Sequence, residues 1–459
     1  MIKANNIAFG GGQTFLQPTA AFLLVVGIIC VVCLPRKYAC LTLLGTVCFL
    51  SMTERVVIAG QVFTTLRLLL LAALPRVIGS SFQGQAFRPR FGTPIDKAWL
   101  LFNISSAFFF TVKWFSGPAA INQMGFLMDT IGGYLVLRYM IRDKGDVLRV
   151  IKLFGLLCCV FAVSMSYERL TMRNILAMVG GVDPWIREDN ARAQATFVHA
   201  ILAGVFGATL LPVFFGYLRR QRGHAALAYA FSASALTMVV TSLSSTPMLA
   251  CAAGIGALCC WPLRRQTRTI KYGACMTILG VHFVMKAPVW ALIQRMDSIG
   301  GGTGYHRFVL VDETIRHFTD WCLVGVKDYG LWGHDMWDLA NTYVSAALTG
   351  GMITFILLIV LLRRTFLALS QLRARAAGDL DMQWSAWGFT AATLTHAFAF
   401  FGITYMDQTK VLWMAFLVIV GVITAKQADK AEPATEQRMH RTTPIQLVAT
   451  TPVLSQDWI

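Results

Sequence analysis

Long apolar runs recur along almost the whole chain, and they constrain its fold more than any other feature. A helix needs about 20 mostly apolar residues to cross a bilayer, and a helix satisfies its own backbone hydrogen bonds there. Hydrophobic residues make up 56% of the 459 residues and charged residues 14%. A soluble chain carries roughly 25% charged residues. The sequence therefore predicts an all-α, polytopic membrane protein.

Thirteen apolar runs are predicted to span the membrane, so we expect about 12–13 transmembrane helices within a domain covering residues 1–425. The runs lie near 17–34, 38–53, 57–76, 97–115, 122–141, 148–166, 196–217, 225–242, 246–262, 269–288, 343–362, 385–403 and 408–425. The first run is longer than a signal-peptide core and lacks a small-x-small cleavage site, so we interpret it as a span. The polar tail, residues 426–459, is predicted to be a disordered cytoplasmic extension.

Basic residues are grouped in short runs between the predicted spans, which orients the chain. These runs are at 35–37, 219–222, 264–271 and 363–375, and the positive-inside rule places them in the cytoplasm. Residues 167–195 and the long loop 289–342 then lie outside, and the long loop carries four Lys/Arg against seven Asp/Glu. The formal charge of +17 therefore reflects topology, and we expect no nucleic-acid partner.

The eleven cysteines do not indicate a metal site. Most lie inside apolar runs, where a free cysteine behaves as a small hydrophobic residue. The sequence shows no CxxC pair and no zinc spacing. The cysteines therefore give no reason to expect a metal.

The long outer loop contains an amphipathic pattern that predicts a helix. Its apolar positions recur at helical spacing and form one stripe: Phe308, Val311, Ile315, Phe318 and Cys322. Asp312 and Arg316 have the i,i+4 spacing of a helix-surface ion pair. Arg307 lies at the edge of the stripe, from which it either reaches a lipid headgroup or points at a bound anion.

The segment "GLWGHDMWDLAN" at the end of this loop concentrates polar groups beside an apolar run. His334, Asp338 and Asn341 are spaced i, i+4, i+7, so an early start of the next helix would place them on one face. Ionisable groups at a membrane boundary often mark function. The alternative is an interfacial collar in which the neighbouring aromatic residues anchor the helix.

The other outer segment, "REDNARAQATFVHAILAG", enters the seventh predicted span. Arg192 and His199 are spaced i, i+7 and would share a helical face. The simpler interpretation is that the arginine is solvated and the histidine is structural. The other is that the two residues are functional, and the sequence leaves both interpretations open.

Two segments resemble the bacterial O-antigen ligase and O-antigen polymerase superfamily. "RAQATFVHAILAG" resembles the family's "R-x-x-G-T-F-x-H-P-N", and "YHRF…WCLVGV…NTYVSAALTGG" resembles its "R…W…PL-x-G-x-G…H-N-x-Y-L…G". The number of spans and the late outer loop also agree with the family over roughly residues 120–425. Three positions depart from its pattern: Ala195 replaces the glycine before "T-F", Ala200-Ile201 replaces "P-N", and Ala340 replaces the histidine before the loop asparagine.

The resemblance implies a glycosyltransferase similar to the class C type, in the bacterial inner membrane with its active face towards the periplasm. Such proteins transfer a glycan from undecaprenyl diphosphate to an acceptor hydroxyl of lipid A core or of another glycan. The resemblance implies no metal and no nucleotide cofactor, and it makes other polysaccharide-assembly proteins expected partners. Arginines bind the diphosphate, and an outer-loop residue activates the acceptor. We expect diphosphate binding by Arg192, Arg307, Arg316 and His199. Because the family histidine is replaced by Ala340, the expected catalytic residues are Asp338, His334, Asp335 and Asn341. Tyr305 and Trp332 are candidates for stacking on sugars.

Two other classes of protein remain open on the sequence. A flippase or other exporter of lipid-linked oligosaccharide would favour broken or charged helices near the midplane and an internal repeat, for which Arg67 and Lys286 are the only hints. A non-catalytic scaffold would not require Arg192, Arg307 and Asp338 to converge. Polymerase and ligase are not distinguished.

The orientation is testable with single cysteines in a background that lacks the native ones. Gly302→Cys should react with an impermeant maleimide in intact cells, because we place residue 302 outside. Gln221→Cys should react only after permeabilisation, because the basic run around it faces the cytoplasm. Labelling in the reverse sense would contradict the topology.

Overall fold

The computed structural model describes residues 13–51, 53–82, 92–187, 190–295, 303–333 and 335–431. Within these ranges the chain is predominantly helical and has two antiparallel hairpins, β1 (Arg55–Ile58) with β2 (Gln61–Thr64) and β3 (Trp185–Arg187) with β4 (Asn190–Arg192). The helices described are α1 (Pro18–Cys33), α2 (Arg36–Phe49), α3 (Thr65–Phe82), α4 (Pro94–Trp114), α5 (Gly117–Leu127), α6 (Gly133–Met140), α7 (Lys144–Thr171), α8 (Ala200–Gly216), α9 (Ala225–Thr241), α10 (Ser245–Cys259), α11 (Thr267–Val284), α12 (Leu292–Arg295), α13 (Thr303–Arg316), α14 (Phe318–Trp321), α15 (Thr342–Arg375), α16 (Leu380–Ala399) and α17 (Asp407–Ala431).

Four segments of the described chain are long and apolar enough to cross a membrane: Lys144–Thr171, Ala200–Arg220, Thr342–Arg375 and Asp407–Ala425. Each of the other apolar runs also contains a helix, and several of these are too short to meet the same criterion. The prediction of a helical protein with several candidate spans is therefore confirmed at this coarser level. Most of the predicted tail, residues 432–459, lies outside the described residues.

The predicted start of the third span is wrong, because residues 55–64 form the first hairpin. Its turn places Ala59 at φ +50° and Gly60 at φ +75°, and a two-residue turn with two positive φ angles matches the twist of paired strands. The β-branched residues on either side favour strands. Arg67, which interrupts the predicted span, donates from Nε and Nη2 to the two oxygens of Asp129 at 2.9 and 3.0 Å.

Helix α8 lies at the centre of the fold, and nearly all of its residues are buried. It packs against α9, α10 and α16. A Cβ on Gly216 would lie 2.4 Å from Cα of Gly388 in α16, so the two backbones cross with no room for a side chain. Small residues permit this close approach between apolar helices.

Helix α15 is interrupted inside its apolar run. Gly351 has φ +69° and ψ −170°, a region that is essentially restricted to glycine. The carbonyls freed by the interruption have protein partners, because Lys113 Nζ donates to the oxygens of Leu348 and Thr349 at 2.9 and 3.1 Å. Backbone that leaves a helix at membrane depth needs such partners.

The long outer loop is folded onto the first half of α15. Trp321 packs with Val344 and Leu348 in a small apolar cluster separate from the main core. Two backbone hydrogen bonds join the loop to the helix interruption: Val326 N donates to Leu348 O at 3.0 Å, and Met352 N donates to Cys322 O at 2.9 Å. The loop is therefore an integral part of the bundle.

The amphipathic helix predicted in this loop is confirmed as α13, which ends at Arg316, so Phe318 and Cys322 of the predicted apolar stripe lie beyond it. The face turned towards the protein carries Arg307, Leu310 and Thr314, whereas Ile315 and Phe318 are about half exposed, at 47% and 45%. Helical spacing identifies a stripe of apolar residues but does not tell a protein-facing stripe from an outward-facing one.

The interruption of α15 makes a specific prediction about Gly351. An added Cβ would lie 2.5 Å from Leu323 O and would force the residue out of its conformation. We expect Gly351→Ala to cost about 2–3 kcal/mol, seen as a lower midpoint of thermal unfolding in detergent. Gly280→Ala is the matched control, because a Cβ there meets nothing within 4 Å and alanine favours a helix. Equal midpoints for the two variants would show that the interruption is not strained.

Candidate functional site

The segment between α7 and α8 is held by a buried carboxylate. Glu168, near the end of α7, accepts the backbone N–H groups of Gln194 at 2.8 Å and Ala195 at 2.9 Å. Asn174 Nδ2 donates to Ala195 O at 2.7 Å. These bonds satisfy a buried turn that has no secondary structure of its own, and they fix the chain between β4 and the start of α8.

His199 is the N-cap of α8. Its Nδ1 accepts the N–H of Ile201 at 3.1 Å. A neutral imidazole whose Nδ1 accepts carries its proton on Nε2. The sequence expectation that Arg192 and His199 share a face of a helix is wrong, because Arg192 ends strand β4 and the helix begins only at Ala200.

Two arginines distant in sequence nevertheless reach adjacent serines. Arg192 Nη2 donates to Ser244 Oγ at 2.6 Å, and Arg307 Nη1 donates to Ser245 Oγ at 3.2 Å. Ser244 is the N-cap residue of α10, and Ser245 is the first residue of that helix. Both guanidinium groups therefore lie at a helix N-terminus, where the first backbone N–H groups and the helix dipole favour negative charge.

The electrostatic environment of His199 links these groups to the end of the long loop. Burial lowers the pKa of His199, the positive charge of Arg192 lowers it further, Asp338 acts in the opposite direction, and Arg307 again lowers it. All three charged side chains thus lie within electrostatic range of the imidazole. The ring is neutral near pH 7, and it offers a donor at Nε2.

The predicted helical face in "GLWGHDMWDLAN" is wrong, because α15 begins at Thr342. Asn341 is buried and caps this helix: its Oδ1 accepts the N–H groups of Tyr343 at 2.9 Å and Val344 at 3.1 Å. Its Nδ2 donates to Phe401 O at 3.2 Å. An asparagine at this position satisfies otherwise unbonded donors, which gives Asn341 a structural role.

The acidic residues of this segment lie in the turn before the cap. Asp338 and Asp335 are both exposed, and Asp335 has φ +63°, a conformation that aspartate tolerates better than most residues. His306 Nε2 lies 2.9 Å from Asp335 O, which joins the turn to α13. The remaining candidate, His334, lies outside the described residues.

Three other predicted site residues, Arg316, Trp332 and Tyr305, each have different surroundings. Arg316 pairs with Asp312 at 2.8 Å, as the i,i+4 spacing predicts, and its side chain is 67% exposed. Trp332 stacks on His317 with ring centroids 4.4 Å apart, so one face of its indole is covered. Tyr305 is exposed. In the described part of the chain, no contact joins Arg316 to Ser244 or Ser245.

A cavity of about 170 Å³ lies beside the Asn341 cap, between α4, α15 and α17. Aromatic rings form much of its wall, including Trp99, Tyr405 and Trp413. Thr342 and Thr404 line the end nearest the cap, and Thr404 Oγ1 donates to Leu339 O. The Leu339 backbone therefore lies between this cavity and the segment of Asp338.

Sequence reasoning missed Ser244 and Ser245, as well as Glu168. A run of hydroxyl residues, "TSLSSTP", opens the apolar helix α10, and such a run is a helix-start signal. It does not tell which distant side chains will reach the hydroxyls. Within the described residues, no three His, Cys, Asp or Glu side chains are grouped so that they could hold a metal ion.

Comparison with known proteins adds no identification. No family model matches the chain, and no curated protein matches it.

The backbone of Ala195 yields a test of how this segment is held. Ala195 is buried with φ +52°, a left-handed conformation that costs a non-glycine residue roughly 1–2 kcal/mol. In Ala195→Gly, the relief of this strain offsets the lost methyl burial and the added unfolded-state entropy. We expect the variant to be neutral within about 0.5 kcal/mol.

Ala193→Gly is the matched control. Ala193 is also fully buried, but its φ is not positive, so no strain is relieved. This variant should cost roughly 1–2 kcal/mol in thermal unfolding. If both variants lose the same stability, Ala195 is not strained.

Proposed function

We propose that the chain is a membrane glycosyltransferase of the polysaccharide polymerase or O-antigen ligase type. In this proposal it moves a glycan from undecaprenyl diphosphate to an acceptor hydroxyl at the periplasmic face of the bacterial inner membrane. One observation carries the proposal: Arg192 and Arg307, from two different outer segments, donate to the adjacent hydroxyls of Ser244 and Ser245 at the N-terminus of α10.

This arrangement suits a diphosphate group. Guanidinium groups bind phosphate oxygens in a planar, two-point geometry and keep their charge at any physiological pH. The helix N-terminus contributes further N–H donors. The hydroxyl of Ser244 already donates to Ser242 O at 2.9 Å. The hydroxyl of Ser245 accepts from Arg307 and can also donate to a phosphate oxygen. We therefore assign the diphosphate to the space in front of Ser244 and Ser245.

The roles of the remaining groups follow from the chemistry of the transfer. The acceptor oxygen forms a bond to the anomeric carbon while the bond from that carbon to the diphosphate oxygen breaks. Negative charge develops on the leaving diphosphate, where arginine contacts are worth a few kcal/mol of barrier. Neutral His199 donates a hydrogen bond from Nε2 to the same anion.

The proton of the acceptor hydroxyl needs a base on the opposite side of the sugar. Asp338 fits this role best among the described candidates, because it is exposed and within electrostatic range of His199. A carboxylate accepts a proton directly from a hydroxyl within hydrogen-bond reach. Asn341 supports the base indirectly, since its cap determines where the preceding turn ends.

A transporter of lipid-linked oligosaccharide is the second candidate, and the interruption of α15 favours it. Discontinuous helices and intramembrane charges, such as the Arg67–Asp129 pair, are typical of transporters. In this chain, however, Lys113 and the outer loop occupy the interruption, whereas a transporter uses such helix ends to hold its cargo. The convergence of Arg192, Arg307 and Asp338 likewise favours an enzyme over a scaffold.

The diphosphate assignment predicts that lysine cannot replace the two arginines. Arg192→Lys and Arg307→Lys keep the charge but lose the planar fork, so each should lower glycan transfer at least about tenfold. Arg316→Lys is the matched control, since Arg316 is an exposed arginine of the same helix as Arg307 and pairs with Asp312. Transfer by purified protein from a defined undecaprenyl-diphosphate glycan measures the effect, in EDTA because we expect no metal requirement.

The assignment of the base predicts a larger loss of rate. Asp338→Asn should lower transfer by about 10²–10⁴-fold and leave thermal stability unchanged, because the side chain is exposed. Asp335→Asn, in the same turn, is the comparison. A wild-type rate of transfer by Asp338→Asn would show that Asp338 is not the base.

For the arginine variants, an equal loss of transfer in Arg192→Lys, Arg307→Lys and the control Arg316→Lys would argue against the diphosphate site.

A further inference from the structure

A second group of arginines lies at the opposite end of the bundle, where the basic runs are found. Four guanidinium groups each lie over the ring of a tryptophan, and one of the three tryptophans contacts the other two. We name this group the arginine–tryptophan cluster. Its members are Arg219, Arg220, Arg264, Arg373, Trp261, Trp384 and Trp387.

The tryptophans form the base of the cluster. Trp261 and Trp384 are stacked with centroids 4.1 Å apart, and Trp387 meets Trp261 edge-on at 6.1 Å. Trp387 Nε1 donates to Ala257 O at 2.8 Å. The three rings come from the turn after α10 and from the first two turns of α16, so tertiary packing brings them together.

The arginines cover these rings from four positions in the chain. The Cζ atom of Arg264 lies 4.3 Å from the centroid of Trp261, and that of Arg373 lies 5.1 Å from Trp387. Arg220 and Arg219 approach Trp384 at 5.1 and 5.9 Å. All four are intermediate in exposure, so they are neither buried in the core nor freely solvated.

Positive charge exceeds negative charge at this place. In the described ranges, Asp381 is the acid that comes within ion-pair distance of the cluster, 3.4 Å from Arg220, and its side chain is 66% exposed. An exposed pair of this kind contributes little. Arg264 Nη1 donates to Trp261 O at 3.4 Å, and Arg219 Nη1 donates to the Tyr229 hydroxyl at 3.3 Å. A guanidinium group has five N–H donors and uses its face for the cation–π contact, so it can bind a further acceptor at its edge.

We propose that the arginine–tryptophan cluster binds the phosphate headgroup of an anionic phospholipid. The cluster lies at the ends of apolar helices, where tryptophan rings sit at the level of headgroups. The basic runs predict that this end of the bundle is cytoplasmic, and basic pockets between helices on that side recognise anionic headgroups. The edge donors of two or more arginines match the phosphate oxygens. The cluster lies beyond the C-terminal end of α10, whereas the proposed diphosphate site lies at the N-terminus of the same helix, so the two proposals do not depend on each other.

The wild-type protein gives the first test. Full-length protein in neutral detergent is mixed with phosphatidylglycerol or phosphatidylcholine, and retained lipid is counted by native mass spectrometry. We expect retention of phosphatidylglycerol and not of phosphatidylcholine. A photoreactive phosphatidylglycerol should cross-link to the peptide containing Trp261 or Trp384. Equal retention of the two lipids, or cross-links only elsewhere, would overturn the proposal.

Charge removal gives the second test. Each arginine that contacts the bound headgroup contributes about fivefold to the binding, so the double variant Arg264→Gln/Arg373→Gln should lose about 25-fold. Arg265→Gln is the matched control, an exposed arginine next to Arg264, and should stay within about twofold. An equal loss in the control would show unspecific surface attraction and overturn the proposal. Millimolar inorganic phosphate that displaces phosphatidylglycerol and stabilises the protein as well would assign the site to a soluble anion instead.

Discussion

Backbone groups that leave a helix inside an apolar bundle must find hydrogen-bond partners, and the architecture of this protein depends on how they do so. The Glu168 carboxylate binds two N–H groups of the turn before α8, and Asn341 binds two N–H groups at the start of α15. Lys113 binds carbonyl groups at the interruption of α15. Burying each of these polar side chains costs desolvation free energy. The hydrogen bonds that it makes are stronger in the apolar interior than they would be in water.

The proposed active site also consists of polar side chains at helix ends. His199 caps α8 and Asn341 caps α15, and Asp338, which lies shortly before Asn341, is within electrostatic range of His199. Arg192 and Arg307 then reach the hydroxyls that open α10. Because a helix N-terminus carries partial positive charge, the start of α10 attracts an anion even before the arginines are counted. The proposed site therefore uses residues and helix ends that the fold already needs for its own hydrogen bonds.

The two arginine groups of the molecule differ in the surroundings of their charges. At the proposed diphosphate site, the arginines hydrogen-bond to hydroxyls at a helix start. In the arginine–tryptophan cluster, they lie on aromatic rings with an exposed aspartate as the neighbouring acid. Hydroxyls and helix N–H groups suit an anion that must enter and leave during turnover. Aromatic rings at the level of headgroups suit a lipid that remains bound.

Short-range pattern accounts for the parts of the structure that the sequence predicted well. The apolar runs placed the helices, since hydrophobic length and composition are local properties. The Asp312–Arg316 ion pair followed from i,i+4 spacing. The same reasoning failed where a helix starts late: Asp338 and Asn341 lie before α15, because Asn341 caps the helix and ends the turn. In α13 the spacing left open which side faces the protein, and in the structure that side carries Arg307.

The sequence by itself determined a helical chain with several apolar helices, the order of those helices, and two connecting segments rich in arginine, histidine and aspartate. Only the tertiary structure decided which of these groups meet. Ser244 and Ser245 join Arg192 and Arg307 across separations of 52 and 62 residues, and helical periodicity carries no information over such distances. The packing around the buried helix ends also decided the role of the polar residues there. A polar residue caps a helix or faces a ligand according to the groups that pack around it.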